Sequence, residues 1–269
     1  MPELPEVETI VRDLRESLVG QTISKVHFIT RTVWYRKPPV QSKLIAGIFA
    51  INRRGKNILI SLSNGHTLAI HLKMTGRLTI EYPHSELKKH THFTMDLTNG
   101  MQVRFNDIRR FGYLDLFRET ELEKRPYIQI LGPDALEISK DDFNRILRGK
   151  NRIIKSLLLD QSIIAGLGNI YSDEALFYAR VNPRSVSSKL SKLKIFHLYD
   201  SIIDVLNRAI ESRGSSIDDY VDAQGVKGNF QDSHKVYGRE GESCPVCGYA
   251  IIREVIGSRS AHYCPRCQR

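Results

Sequence analysis

The chain opens on a helical pattern. Val7, Ile10, Val11, Leu14 and Leu18 recur at helical spacing, with Pro5 near the first turn and Gly20 just past the end, so an amphipathic helix is predicted over 7–18. The period then shortens to two. Ile58, Ile60 and Leu62 lead into Asn64-Gly65, and Leu68, Ile70 and Leu72 return; Phe93, Met95 and Leu97 lead into Asn99-Gly100, and Met101, Val103 and Phe105 return. Each set reads as a hairpin, which makes residues 22–117 mostly antiparallel sheet. Gly132-Pro133 interrupts the chain and is the expected hinge, after which helical patterns resume at 141–148, 152–160 and from Leu193 to Ile210. A stretch from Arg213 to His234, punctuated by Gly214, Gly225 and Gly228, is expected to be a mobile functional loop or plain disorder.

Hydrophobic residues at 41% and charged residues at 26% argue for a folded chain with a real core and against a mostly disordered one. A formal charge of +10 favours an anionic partner without naming it. No segment approaches the roughly 18 apolar residues of a membrane span. The start MPELPEVETI is acidic where a secretory signal would be basic and then apolar, so a cytoplasmic protein is expected.

All four cysteines fall in the last 26 residues. Cys244-Pro-Val-Cys247 and Cys264-Pro-Arg-Cys267 lie 16 residues apart, a spacing that suits two thiolate turns closing on one tetrahedral zinc; a thiol redox pair is the alternative. Four thiolates leave no open position for water, so the metal holds structure and does no chemistry. Between the knuckles Ile251–Val255 and Ser260–Tyr263 can form two strands, with Gly257, Ser258 and Arg259 at the tip. Arg259 is then either a solvated cation or a phosphate contact.

Pro2, Glu3 and Glu6 fit a helix start on ordinary grounds, because proline and carboxylates suit the first turn. A chemical reading requires Met1 to be removed. Pro2 is then a secondary amine with a pKa of roughly 7.7 to 8, against about 10.4 for lysine, so a neutral nucleophilic fraction exists near pH 7. Attack on a sugar C1′ gives a cationic iminium that acidifies the C2′ hydrogen, and strand scission by elimination follows.

Several separate strings coincide with one family. PELPEVET, Arg53-Arg54-Gly55-Lys56, His71-Leu-Lys-Met74-Thr-Gly76, Asp107-Ile-Arg109-Arg110-Phe111-Gly112, Gly166-Leu-Gly168-Asn169-Ile-Tyr171 and the cysteine pairs closely resemble bacterial formamidopyrimidine-DNA glycosylase, end to end and in order. The resemblance implies an α+β fold: an N-terminal antiparallel β-sandwich with flanking helices over 1–131, a helical helix-two-turn-helix domain over 132–233, and a four-cysteine β-hairpin zinc finger over 234–269. It implies a bifunctional base-excision repair enzyme that removes 8-oxoguanine and formamidopyrimidines from duplex DNA and nicks abasic sites by β,δ-elimination. It would act as a monomer, with one structural zinc and no nucleotide cofactor, since no Walker motif is present.

Residue by residue, Pro2 matches the nucleophile, Glu3 the acid/base at the sugar, Glu6 a supporting carboxylate, and Lys56 a phosphate contact that assists catalysis. Without the family, Lys56 would read as a solvated basic turn. Met74, Arg109 and Phe111 match the side chains that fill the hole left by an extruded nucleotide, with Arg110 beside them; periodicity alone would put Met74 and Phe111 in a core. Lys155, Asn169, Arg259 and His90 match further DNA contacts, Asn169 from a glycine-rich turn where backbone N–H groups suit phosphate. Lys73 is a departure, since some members carry glycine there. Two other readings differ in kind: a non-catalytic zinc-ribbon protein that binds distorted duplex, and an endonuclease VIII-like enzyme for oxidised pyrimidines, against which Leu4 and the VET continuation argue.

Overall fold

The computed structural model describes residues 1–217 and 219–269, so Asp218, in the expected loop, lies outside the described residues. Two compact units result, 1–129 with 212–229, and 130–211 with 230–269.

The first unit begins with α1 (Leu4–Leu18), whose apolar stripe is fully buried, as the spacing predicts. Eight strands follow: β1 (Ile23–Phe28), β2 (Ile48–Arg54), β3 (Asn57–Leu62), β4 (His66–His71), β5 (Gly76–Glu81), β6 (Thr91–Leu97), β7 (Gln102–Asp107) and β8 (Tyr113–Arg118). They form two antiparallel four-stranded sheets, ordered β1-β6-β7-β5 and β2-β3-β4-β8. The two Asn-Gly turns fall where expected, with Gly65 and Gly100 at φ +75° and +81°, values that favour glycine. Alternate residues Ile58, Ile60, Leu68, Ile70, Phe93, Met95, Val103 and Phe105 meet α1 in one core between the sheets. On the outer face of the second sheet, Leu59, Ala69 and Phe117 are covered by Leu122 and Tyr127. Short helix α2 (Pro126–Gln129) closes this part.

The second unit holds α3 (Lys140–Arg148), α4 (Ile154–Leu159), α5 (Asn169–Tyr178) and α6 (Lys192–Glu211), then the hairpin β9 (Ile252–Ile256) and β10 (Arg259–Tyr263). The expected three domains, 1–131, 132–233 and 234–269, differ from these units in two respects, the first being that the zinc hairpin shares one unit with the helices. The second is that residues 212–229 return to the first unit, because Arg213 pairs with Asp13 of α1 at 2.7 Å and with Asp222 at 2.6 Å. The reading of plain disorder is not borne out for the described residues of this part: Asp222, wholly buried, also accepts the backbone N–H groups of Gln224 and Val226, and the Ile80 N–H donates to Ala223 O at 2.7 Å. Among the described residues no helix is long and apolar enough to cross a membrane.

Candidate functional site

Pro2 is buried immediately before the cap of α1. Glu3 is the N-cap and Glu6 the third helical residue, and the two form a capping box in which the Glu3 N–H donates to Glu6 Oε2 at 2.8 Å. Glu6 Oε1 accepts the Ser215 N–H, also at 2.8 Å. Both Glu6 oxygens thus bind backbone, which makes Glu6 a positioning residue: it fixes the backbone of Glu3 and so the residue that precedes it. Met1 itself is exposed.

Lys56 sits in the two-residue turn joining β2 and β3. Gly55 takes φ +57° there and the next residue does not, the φ pattern of a type II′ turn. The turn is fastened to α1, because Arg53 Nη1 donates to Gly55 O at 2.8 Å while its Nε pairs with Glu8 at 3.0 Å. Across the β3–β4 ladder, Asn57 faces His71. Burial, aided by the charges of Lys73 and Lys56, pushes the His71 ring down to about 3. Its Nδ1 accepts the Lys73 N–H at 3.0 Å, which leaves any proton on Nε2. Lys73 has φ +52°, a conformation that explains why glycine suits this position.

The loop after β4 and the loop before β8 bring Met74, Arg109 and Phe111 together. Arg109 Nη1 lies 3.2 Å from Met74 Sδ and its guanidinium 4.6 Å over the Phe111 ring. Met74 and Phe111 are 43% and 53% exposed, so neither is core: two apolar side chains stand in solvent around a cation. The arrangement hangs on Asp107, which is wholly buried. Its Oδ2 accepts the Gly112 N–H at 2.7 Å, and its Oδ1 accepts the Arg109 N–H at 3.2 Å and the Thr75 hydroxyl, so one carboxylate ties both loops. Arg110 is exposed at φ +56°. His90 is half-buried, and its carbonyl accepts the Asp107 N–H at 3.0 Å.

In the second unit, Asn169 begins α5 and reaches Ser260 of β10 at 3.4 Å, beside the exposed Arg259. Arg259 is the first residue of β10, paired with Ile256, so the tip is Gly257-Ser258 and the cation stands just behind it. Lys155 corrects an expectation. It is 0% exposed, and its ammonium donates to Asp173 Oδ1 at 2.6 Å, Ser172 Oγ at 2.7 Å and Asn169 O at 3.0 Å, so in this structure it acts from beneath α5 and not on the surface. Asp173 Oδ2 accepts the His262 N–H at 2.9 Å, which joins the lysine to the hairpin. The neighbouring Glu174 is buried and accepts the backbone N–H groups of Lys235, Val236 and Tyr237, each at 2.9 Å; burial still pushes its carboxyl up. Asp107 entered the sequence reading only as part of a motif, with no role, and Asp173 and Glu174 escaped it, because a buried acid satisfied by distant backbone leaves no signal in spacing.

The sulfurs of Cys244, Cys247, Cys264 and Cys267 all lie within 4.8 Å of one another. A tetrahedral zinc at roughly 2.3 Å from each sulfur requires separations of about 3.8 Å. Cys244–Cys267 at 3.9 Å and Cys247–Cys264 at 3.5 Å meet that requirement. Four thiolates close the shell, so the zinc is structural.

A proline seated on a capped helix, a Met–Arg–Phe cluster on paired sheet loops, and a zinc hairpin against a glycine-led helix are the arrangement that the resemblance to a helix-two-turn-helix DNA glycosylase implies. Comparison with known proteins agrees. Models described as formamidopyrimidine-DNA glycosylase N-terminal domain, formamidopyrimidine-DNA glycosylase H2TH domain, and zinc finger found in FPG and IleRS match residues 1–114, 131–221 and 241–269. Formamidopyrimidine-DNA glycosylase of Pelotomaculum thermopropionicum is 43% identical over 275 residues, covering 100% of this chain and 99% of its own. That of Solibacter usitatus is 44% identical over 272 residues, with both chains fully covered. The structure of Lactococcus lactis Fpg with abasic-site DNA superposes over the whole of both chains at TM-score 0.92 and 33% identity. MutM with carbocyclic 8-oxo-G DNA does so at 0.91 and 33%. The chain belongs to the formamidopyrimidine-DNA glycosylase family.

Proposed function

We propose that the protein removes oxidised purines, 8-oxoguanine and formamidopyrimidines, from duplex DNA and then cleaves the strand at the abasic site through a Schiff base on Pro2. The observation that carries this is the fixing of Pro2 ahead of the Glu3–Glu6 capping box, a rigid seat for a nucleophile whose position must be held to within a fraction of an ångström.

With Met1 removed, the neutral Pro2 nitrogen attacks C1′. The C1′–base bond breaks and its electron pair leaves with the base, which takes up a proton while the Pro2 nitrogen, cationic once bonded to C1′, gives up its own, so that no net proton is gained or lost and the nitrogen regains its lone pair. Glu3 protonates the ring oxygen as the C1′–O4′ bond opens, leaving an iminium between Pro2 and C1′. Loss of the C2′ proton expels the 3′ phosphate, and a second elimination expels the 5′ phosphate. Lys56 serves the phosphate beside the lesion. Extruding the nucleotide costs a few kcal/mol of stacking, which Met74 and Phe111 restore while Arg109 donates to the orphaned base. In the second unit, the start of α5 at Asn169, with Arg259 close by, supplies donors for phosphate. Lys155 acts indirectly, by holding Asn169 O and Asp173. The setting is the bacterial cytoplasm, on nucleoid DNA, with the protein as a monomer.

The test is a comparison of nicking on two duplexes, one with 8-oxoguanine opposite cytosine and one with thymine glycol. Faster cleavage of the 8-oxoguanine strand is expected; faster cleavage of thymine glycol would assign the pocket to oxidised pyrimidines.

A further inference from the structure

A cavity of about 450 Å³ lies in the first unit, away from every residue given a role above. Arg36, Lys37, Lys43, His66 and Arg118 line it. His66 begins β4 and pairs with Arg118 at the end of β8, whereas the loops that carry Met74 and Phe111 lie at the opposite ends of the same two strands. Five residue steps at about 3.3 Å put the two ends roughly 17 Å apart.

Backbone contacts build the walls. The Tyr35 N–H donates to Leu114 O at 2.8 Å, which lays the segment carrying Arg36 and Lys37 along the edge strand β8. Asn64 Nδ2 holds the Lys43 carbonyl at 2.9 Å, and the Glu119 N–H donates to Gly65 O at 3.0 Å beside Arg118. The charges are unbalanced. Two carboxylates line the cavity, Asp115 and Glu121, and Arg125 already engages both, at 3.6 Å and 2.8 Å, while Asp115 also accepts the Tyr127 hydroxyl at 2.9 Å. Arg36, Lys37, Lys43 and Arg118 make no ion pair among the described residues. Four uncompensated cations around one concave space repel one another, and a compact polyanion relieves that repulsion. Two of the four are guanidinium groups, whose paired donors match phosphate oxygens.

We propose that this cavity is a second anion site, taking a small ligand with two or more linked phosphate groups, such as a nucleoside triphosphate or an inorganic oligophosphate. The volume falls within the range of small-ligand sites, and Pro39 and Leu116 give the wall an apolar portion. The ligand is no cofactor of base removal, since the site lies at the far end of β4 and β8 from the side chains that enter the duplex. The proposal does not depend on the reading of Pro2.

Equilibrium dialysis of the full-length, zinc-loaded protein against ATP and against tripolyphosphate tests it, with wild type, the double variant Arg36→Ala/Arg118→Ala, and Arg148→Ala as an equal loss of charge per site elsewhere. Saturable binding of at least one ligand is expected, weakened tenfold or more in the double variant and less than twofold in Arg148→Ala. If tripolyphosphate binds as well as ATP, the phosphates alone are recognised; if ATP binds better, the wall reads the nucleoside as well. Nicking of a lesion duplex and the salt dependence of its binding should be unchanged in the double variant. Absence of saturable binding, equal binding by wild type and double variant, or a double variant whose DNA salt slope falls while oligophosphate binding persists would each overturn the proposal, the last by making these arginines DNA backbone contacts.

Discussion

At Glu6 and Asp107 the same device recurs: a buried carboxylate accepts nearby backbone N–H groups together with one donor distant in sequence, the Ser215 N–H for Glu6 and the Thr75 hydroxyl for Asp107, and so fixes a neighbour that does the visible work. His71 is the neutral counterpart, and its burial has a sign. The folded ring titrates near 3 and the unfolded one near 6.5, so below pH 6.5 only the unfolded chain gains the proton. Stability is therefore complete above 6.5 and falls as pH drops towards 3, by at most about 1.4 kcal/mol per pH unit from this residue. Thermal melts of wild type and His71→Asn at pH 7 and pH 5 should show the smaller drop in the variant, with His234, also pushed down by burial to about 4, contributing equally to both; identical drops would contradict the assignment. Lys155 shows what the sequence did hold. Lys155 and Leu158 are three apart on α4 and both are buried, so the helical spacing that marks the apolar face also marks this lysine as internal. Met74 and Phe111 are the reverse case, apolar side chains outside a core, which periodicity cannot distinguish from packing residues.

Elements with a clear period were legible: α1, the β3–β4 and β6–β7 hairpins and α6 follow directly from spacing two or 3.6 and from Asn-Gly turns. The segment 212–229 was not, because polar atoms hold it to partners some 200 positions away, as in Arg213 to Asp13. Gly214 shows how tightly it is held. Its φ is +82°, and a Cβ there would stand 2.8 Å from Glu6 Oε1. Gly225, at φ +81°, has nothing within 4 Å of such a Cβ. Gly225→Ala should cost only the left-handed strain, about 1–2 kcal/mol. Gly214→Ala adds an overpacking cost of about 1–3 kcal/mol and displaces the Ser215 N–H from Glu6, so it should also slow strand cleavage. Urea midpoints and single-turnover nicking of the two variants compare them; a Gly214→Ala chain no worse than Gly225→Ala on both counts would show that the segment does not brace the α1 cap.

At the scale of the whole molecule, the charge of +10 resolves into distinct tasks. Some cations are internal, as Lys155 is, some face solvent near the proposed DNA contacts, and four surround the cavity beside β8. The zinc hairpin is a small module whose own core is little more than Phe177, Val236, Ile251 and two of the cysteines, so the metal supplies what burial cannot. Removing zinc with a chelator, or replacing Cys247 with Ser, should release hydrogen-exchange protection across β9 and β10 and abolish lesion-duplex binding; unchanged affinity would make the hairpin dispensable. The central claim concerns Pro2. Borohydride reduction during turnover on an 8-oxoguanine duplex, followed by peptide mapping, should yield one covalent DNA adduct on a chain that has lost Met1, located at Pro2 and missing from Pro2→Gly. No adduct from a chain with a verified free Pro2, or an adduct on a lysine, would contradict the account.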